Sequence, residues 1–403
     1  MRKANVLFCL LFWVCLSCQR NTSEPEINYL TSPAEKSSEL PNLFTSKSGE
    51  IYLSWVETSG EESELRYSQL IDQEWTASMQ ISAGDNWFVN WADFPSLIAG
   101  DDFMAAHWLQ KSAEGTYDYD VNISTSRQGK EWSSAFLPHQ DGIQAEHGFV
   151  SMLPMENEQF FVTWLDGRNT KTTHTDHQSM EHTGAMTLRA GIFDLDGHEI
   201  NSWELDDRTC DCCQTAAAMS TKGPIVVYRD RSESEIRDIY LTKYEEGNWT
   251  SPIPVANDLW EIAGCPVNGP DIAISGQNLA VIWYSASGNT PKVQFAISED
   301  LGDSFQPPVT LGEGNTLGRV GISPYTDGRF VVTWMESKNE NALIKMALIN
   351  HDGSVERKID LAETSMERAS GFPSITTKDS KVIAAWTVNG EKNSIQTVTV
   401  EFE

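Results

Sequence analysis

The sequence predicts an all-β fold: a β-propeller of seven four-stranded blades, with six as the alternative if one copy of its repeat is degenerate. Three observations predict it. A two-segment unit recurs along the chain, its second apolar segment ending in an aromatic residue: Trp55, Trp108, Trp164, Tyr228, Trp283, Trp334 and Trp386. The spacing between these aromatics stays between 51 and 64 residues. Each unit continues into alternating β-branched and aromatic runs bounded by turn residues, which is strand patterning. Four strands per ~50 residues repeated seven times is the signature of a propeller.

Taken in order, the second segments are IYLSW, MAAHW, FFVTW, IVVY, AVIW, FVVTW and VIAAW. Third segments such as YDVNIST, IRDIYLTK and KVQFAIS alternate with period two, and a fourth element is visible as EWTASMQI, EWSSAFLP, NWTSPIPV and SFQPPVTL. The seventh copy ends after three strands, and EINYL (residues 26–30) is expected to supply the fourth. The N- and C-terminal strands then pair within one blade and remove the last free sheet edge.

Residues 1–17 read as a secretory leader, residues 18–36 as a tether carrying the closing strand, and residues 37–403 as the propeller. The leader has Arg2 and Lys3 ahead of an apolar run too short to span a membrane stably. Its Leu-Ser-Cys ending resembles the lipobox of bacterial lipoproteins, and that resemblance implies lipidation of Cys18. The expected location is therefore the bacterial cell envelope, outer membrane or cell surface, with membrane contact only through the lipid. With 29 basic against 58 acidic residues the formal charge is −29. Such a chain repels phosphate backbones and anionic bilayers, so no nucleic-acid partner is expected.

Export also shapes the reading of Cys210, Cys212, Cys213 and Cys265. Two disulfides, in any of three pairings, are expected in an oxidising compartment. A thiolate metal site and a redox role stay open. Residues 174–182 hold His174, His177 and His182, a cluster of no standard metal spacing; it reads as a solvated loop or a lid. No cofactor is expected, and the protein is expected to be a monomer.

In a propeller, the segments leading into each first strand and the turns after each second strand gather on one face. Ligand sites on circular folds lie there. The lead-ins supply Asp93, Glu146, His147, Asn268, Arg319 and Arg368, and the turns supply Arg168, Arg229 and Arg231. An acidic chain that gathers arginines at one mouth is suited to an anionic ligand, because the planar guanidinium pairs with carboxylate bidentately. Ion pairing within residues 229–238 is the plainer alternative. Asp93 or Glu146 could move a proton, with His147 as another carrier. Acids two residues after the repeat aromatic (Glu57, Asp166, Asp230, Glu336) recur and read as turn features.

The run SEDLGDSF (residues 298–305) matches the Asp-box, and STSRQGKEW (residues 124–132) is a weaker copy lacking the Asp. On these motifs the chain resembles the sialidase and neuraminidase-repeat superfamily. The resemblance implies an exo-glycosidase acting on an anionic carbohydrate. It would hold the substrate carboxylate with Arg319, Arg368 and one of Arg168, Arg229 or Arg231. Asp93 or Glu146 would be the acid/base and Tyr228 the nucleophile. A non-catalytic glycan- or protein-binding propeller, or a metal-binding extracytoplasmic protein, are the alternatives.

Overall fold

The computed structural model describes residues 24–171 and 184–402. The leader with Cys18, and the His174, His177 and His182 cluster, lie outside the described residues.

Seven sheets form seven blades. Blade 1 is Ser38–Thr45, Ile51–Ser59 and Glu62–Ile71, edged by Glu74–Trp75 and Met79–Gly84; blade 2 is Ser96–Ala99, Met104–Lys111 and Tyr119–Ser126. Blade 3 is His147–Pro154, Gln159–Asp166, Met186–Asp194 and Glu199–Thr209. Blade 4 is Ala216–Met219, Pro224–Arg229 and Ile239–Glu245, edged by Asn248–Trp249 and Ile253–Pro254. Blade 5 is Asp271–Ser275, Asn278–Ser285, Lys292–Ser298 and Val309–Glu313. Blade 6 is Thr316–Pro324, Phe330–Lys338, Asn341–Ile349 and Val355–Ser365. Blade 7 is Ser374–Lys378, Lys381–Val388 and Ser394–Glu401, and Glu26–Leu30 completes it, antiparallel to the C-terminal strand from Glu26↔Glu401 to Leu30↔Thr397.

The ring is closed. Each first strand touches the first strand of the next blade, and that of blade 7 touches that of blade 1. The seven buried apolar clusters each fill a seam between two neighbouring blades. The outer strands depart from the predicted pattern where the sequence interrupts them. In blade 2 only the Ile123↔Phe136 bridge stands for a fourth strand. In blades 1 and 4 the edge is split in two, and Pro252 and Pro254 fall in the second of these. Proline cannot donate to a ladder, so it belongs on an edge.

The repeat aromatics are packing residues with a polar latch. Trp55, Trp164 and Trp334 donate their indole N–H to the acid two residues on, Glu57, Asp166 and Glu336, each at 2.8 Å. Directly across the sheet from each Trp stands a base, Arg66, Arg189 or Lys345, and it lies 3.6–4.0 Å from that acid. The recurring acids are therefore structural, as their repetition suggests. The Asp-box turn has the same character. Asp300 Oδ1 accepts the Ser304 N–H (2.9 Å), Ser298 Oγ accepts the Gly302 N–H (2.8 Å), and Gly302 supplies φ +89°.

Candidate functional site at the propeller mouth

The first strands enclose a channel of about 380 Å³ reaching from Ala92, Asp93 and Phe372 at one end to Thr45, Leu153 and Pro324 at the other. At the first end the lead-ins converge. Residues 86–96, from blade 2, cross toward the far side. The Ala92 carbonyl accepts the Gln214 side-chain N–H of blade 4 (2.5 Å), and the Trp91 ring stacks on Phe372 beside blade 7 (5.9 Å). Arg319 and Arg368, from blades 6 and 7, lie over the same Trp91 ring at 4.9 and 6.0 Å. Residues from distant parts of the chain thus share one opening.

Entry into three first strands is by a bulge whose central residue is left-handed: Leu40 (φ 59°), Phe149 (φ 53°) and Arg319 (φ 53°). This non-glycine conformation is uncommon and is held by contacts from the neighbouring blade. The Leu40 N–H donates to Thr387 Oγ1, the Phe149 N–H to Asp93 Oδ1 (2.7 Å) and the Arg319 N–H to Asn268 Oδ1 (2.7 Å).

The arginines reach the mouth, but most are occupied. Arg319 is 6% exposed; its guanidinium donates to Ser370 Oγ (2.6 Å) and to the carbonyls of Gly371 (3.0 Å) and Glu367 (3.2 Å). Burial, with Arg368 nearby, lowers its pKa to about 10. Arg229 is likewise buried, donating to the carbonyls of Arg237, Asn268 and Tyr284 and stacking on Trp260. Arg168 grips Asp166 with two N–H groups and also pairs with Asp141 (3.1 Å). Arg231 is held between Glu235 and Asp211. Local ion pairing thus accounts for Arg168 and Arg231, and backbone capping for Arg229 and Arg319. Arg368 is exposed and makes no ion pair among the described residues. Asn268 is a pin between blades 5 and 6 rather than an open ligand group.

His147 is fully buried between Asp120 (3.3 Å), Asp141 (3.1 Å) and Asp166 (3.7 Å), its ring stacked on His139 at 3.8 Å. Burial opposes its charge, but the Asp120 contact and the fields of Asp166 and Asp141 outweigh it and raise the pKa. His139, by contrast, is lowered to about 4 by burial and by the charge of His147. With Arg168 closing Asp141 and Asp166, this is a buried ion network. His147 is a buried structural residue there, not a carrier facing the opening.

Tyr228 does not serve as the predicted nucleophile. Its ring is 1% exposed in the seam between blades 3 and 4, and its hydroxyl donates to Asp206. Burial and then Asp206 push the phenol well above its usual pKa, the reverse of what a nucleophilic phenol needs.

Asp93 and Glu146 come together on Tyr119, which sequence reasoning passed over. The Tyr119 hydroxyl lies 2.8 Å from Asp93 Oδ2 and 3.0 Å from Glu146 Oε1. A phenol has one proton, so it can donate to only one of them, and the other carboxyl must bring its own. Burial raises Asp93 to about 7 and Glu146 to about 8. Asp93 also accepts the Phe149 N–H, which favours its ionised form, so the extra proton falls to Glu146. Tyr119 and Asp93 are closed to solvent, whereas Glu146 is only partly covered and lies near Asp211 and Cys265 of the next two lead-ins. The signal for Tyr119 was faint: it opens an ordinary third strand.

The four cysteines are free thiols in one cluster. The sulfurs of Cys210, Cys212 and Cys213 lie within 4.8 Å of one another, and Cys265 reaches Cys212 from the next blade.

No family model matches the chain, and no curated protein matches it. Solved structures share its fold. BP39L lectin from Burkholderia pseudomallei superposes with a TM-score of 0.61 at 12% identity, covering 90% of this chain and 95% of the lectin. Phage phi92 endosialidase gives 0.52 at 9% identity, over 94% of this chain and 69% of that one. An ulvan lyase, a polysaccharide lyase bound to -[GlcA(1-4)Rha3S]-, gives 0.51 at 11% identity, over 93% of both. The class defined by fold and site is a seven-bladed propeller with its candidate ligand groups at one mouth, a fold shared with proteins that bind or cleave carbohydrates.

Proposed function

We propose that the mouth binds an anionic glycan and cleaves its terminal glycosidic bond. The observation that carries this reading is the Asp93–Tyr119–Glu146 group, a neutral carboxylic acid held at the rim of the channel. A carboxyl that stays protonated at neutral pH can deliver its proton to a leaving glycosidic oxygen. Arg368, exposed beside Trp91, offers an unpaired guanidinium for the carboxylate or sulfate of the sugar. The lectin, the endosialidase and the ulvan lyase that share the fold, the last bound to -[GlcA(1-4)Rha3S]-, agree with this choice. Asp93 and Tyr119 position Glu146 and tune its proton affinity.

Capture without cleavage is the second reading. It draws on the burial of Tyr119 and Asp93, which keeps both from touching a sugar. A panel of anionic glycoside reporters, run beside a glycan-binding array, separates the two. Hydrolysis predicts turnover that Glu146→Gln lowers at least 100-fold while binding persists, on the scale of a general acid. Binding without turnover supports capture, and silence in both assays removes the glycan reading. We further propose that the protein is exported and tethered through lipidated Cys18. Metabolic labelling with radioactive palmitate should mark the chain, and Cys18→Ser should abolish the label.

A further inference from the structure

The cysteine cluster lies beside the mouth but has no part in the chemistry proposed for it. Cys210, Cys212 and Cys213 sit in the lead-in to blade 4 and Cys265 in the lead-in to blade 5, so the adjacency of two blades assembles the group. Cys210 and Cys213 are buried with their sulfurs 3.0 Å apart, Cys212 is half-buried, and Cys265 is exposed at the rim. We propose that these four thiolates bind one thiophilic closed-shell metal ion, Zn2+ or Cu+.

Two independent features support a metal over a pair of disulfides. The first is the donor set. The sulfurs of Cys210, Cys212 and Cys213 lie within 4.8 Å of one another, so three donors already share one site, and Cys265 approaches Cys212 from the next blade as the fourth. The neighbouring carboxylate, Asp211, is turned to Arg231. An all-sulfur set selects soft cations over calcium or magnesium. The second is the charge around it. Arg237 Nη1 lies 3.3 Å from Cys210 Sγ. Arg229 is buried with carbonyl partners alone and no carboxylate at ion-pair distance among the described residues. Asp230 follows it directly in the chain without pairing to it, and Asp238 accepts the N–H groups of Leu259 and Trp260. A buried cation is costly without a counter-charge. Disulfides are neutral and would leave Arg229 uncompensated. Four thiolates around a dication carry two net negative charges, and around a monocation three, which Arg229 and Arg237 offset. On loading, four S–H bonds break, four metal–sulfur bonds form and four protons pass to solvent, with no change of oxidation state.

The test uses the full chain, isolated from its native compartment without chelator and under inert gas. Elemental analysis should find about one zinc or copper per chain, and X-ray absorption should show a sulfur-only shell, at about 2.3 Å for zinc. Reloading the stripped protein with Zn2+ or with Cu+ under reductant identifies the preferred ion. Cys265→Ser changes an exposed position and should weaken metal retention at least tenfold with an unchanged circular dichroism spectrum. Cys212→Ser should abolish retention; if it fails to fold, Cys265→Ser still decides the matter. Metal-free protein with two disulfides in non-reducing peptide maps, or a nitrogen- and oxygen-only shell, overturns the proposal.

Discussion

Arg319 and Arg368 stand in the lead-ins of adjacent blades at the same mouth, flank the same Trp91 ring, and do opposite work. Arg319 holds down the carbonyls of the turn into blade 7, and those carbonyls have lost water. Arg319→Met should therefore destabilise the fold by about 2–4 kcal/mol, through unsatisfied buried acceptors, read from denaturant unfolding. Arg368→Ala should leave unfolding unchanged and weaken glycan binding tenfold or more. The reverse pattern would mean that the roles assigned to the two arginines are exchanged. Gly148 gives a third residue-level handle. A Cβ there would sit 2.0 Å from Asp93 Oδ2. Gly148→Ala should push Asp93 from Tyr119 and shift the alkaline limb of the pH–rate profile, which the deprotonation of Glu146 sets. The sequence showed that these residues belong to lead-ins. It could not show the left-handed bulge at Arg319 that turns its side chain under residues 366–371, nor that Tyr119 would meet two acids from separate lead-ins. Both depend on how adjacent blades abut, which period and composition do not encode.

At the scale of the element, the repeat was readable because every blade carries an aromatic in its second strand. In blades 1, 3 and 6 an acid follows that aromatic by two and a base faces it across the ladder. Periodicity exposes such a rule wherever packing is local, and it correctly marked Glu57, Asp166 and Glu336 as structural. Tyr228 is the exception that misled, since a departure from the repeat resembles a functional change. The structure shows the same packing role with Asp206 replacing the usual latch. The closing strand was also legible, because a missing fourth strand at one terminus must be supplied by the other. Deleting residues 24–30 should expose the edge of Ser394–Glu401 across five paired positions. The expected result is a lower unfolding midpoint and concentration-dependent aggregation by light scattering, both relieved by adding the EINYL segment as a peptide. A truncated chain as stable and monodisperse as the full one would show that closure contributes nothing.

Across the whole molecule, the buried carboxyls set how stability depends on pH. Burial raises Asp93, Asp230 and Asp271 to about 7 and Glu146 to about 8. In the unfolded chain these groups titrate near 4, so between about pH 4 and 8 the folded protein binds more protons than the unfolded one. Stability is then greatest at the acid end of that window and is lost as pH rises through 7 and 8. Asp166 works in the opposite sense. Although burial raises it, Arg168 and His147 bring it down to about 2, so its contribution fades only in stronger acid. The thermal midpoint should consequently fall by on the order of 5–10 °C from pH 5.5 to 8.5. Charge repulsion across the chain is not the cause, because ordinary carboxylates are already ionised throughout that range, and 0.5 M salt should leave most of the slope in place. Asp271 offers the cleanest control: it lies away from the proposed acid, and its two oxygens accept the N–H groups of Ile272 and Ile322, joining blade 5 to blade 6. Asp271→Asn removes the charge but turns an amide nitrogen toward one of these N–H groups, so its midpoint should lie below the wild type's at pH 5.5 and the gap should narrow at pH 8.5. A flat or rising midpoint in the wild-type chain would mean that these carboxyls are hydrated, and that Glu146 holds no proton at neutral pH.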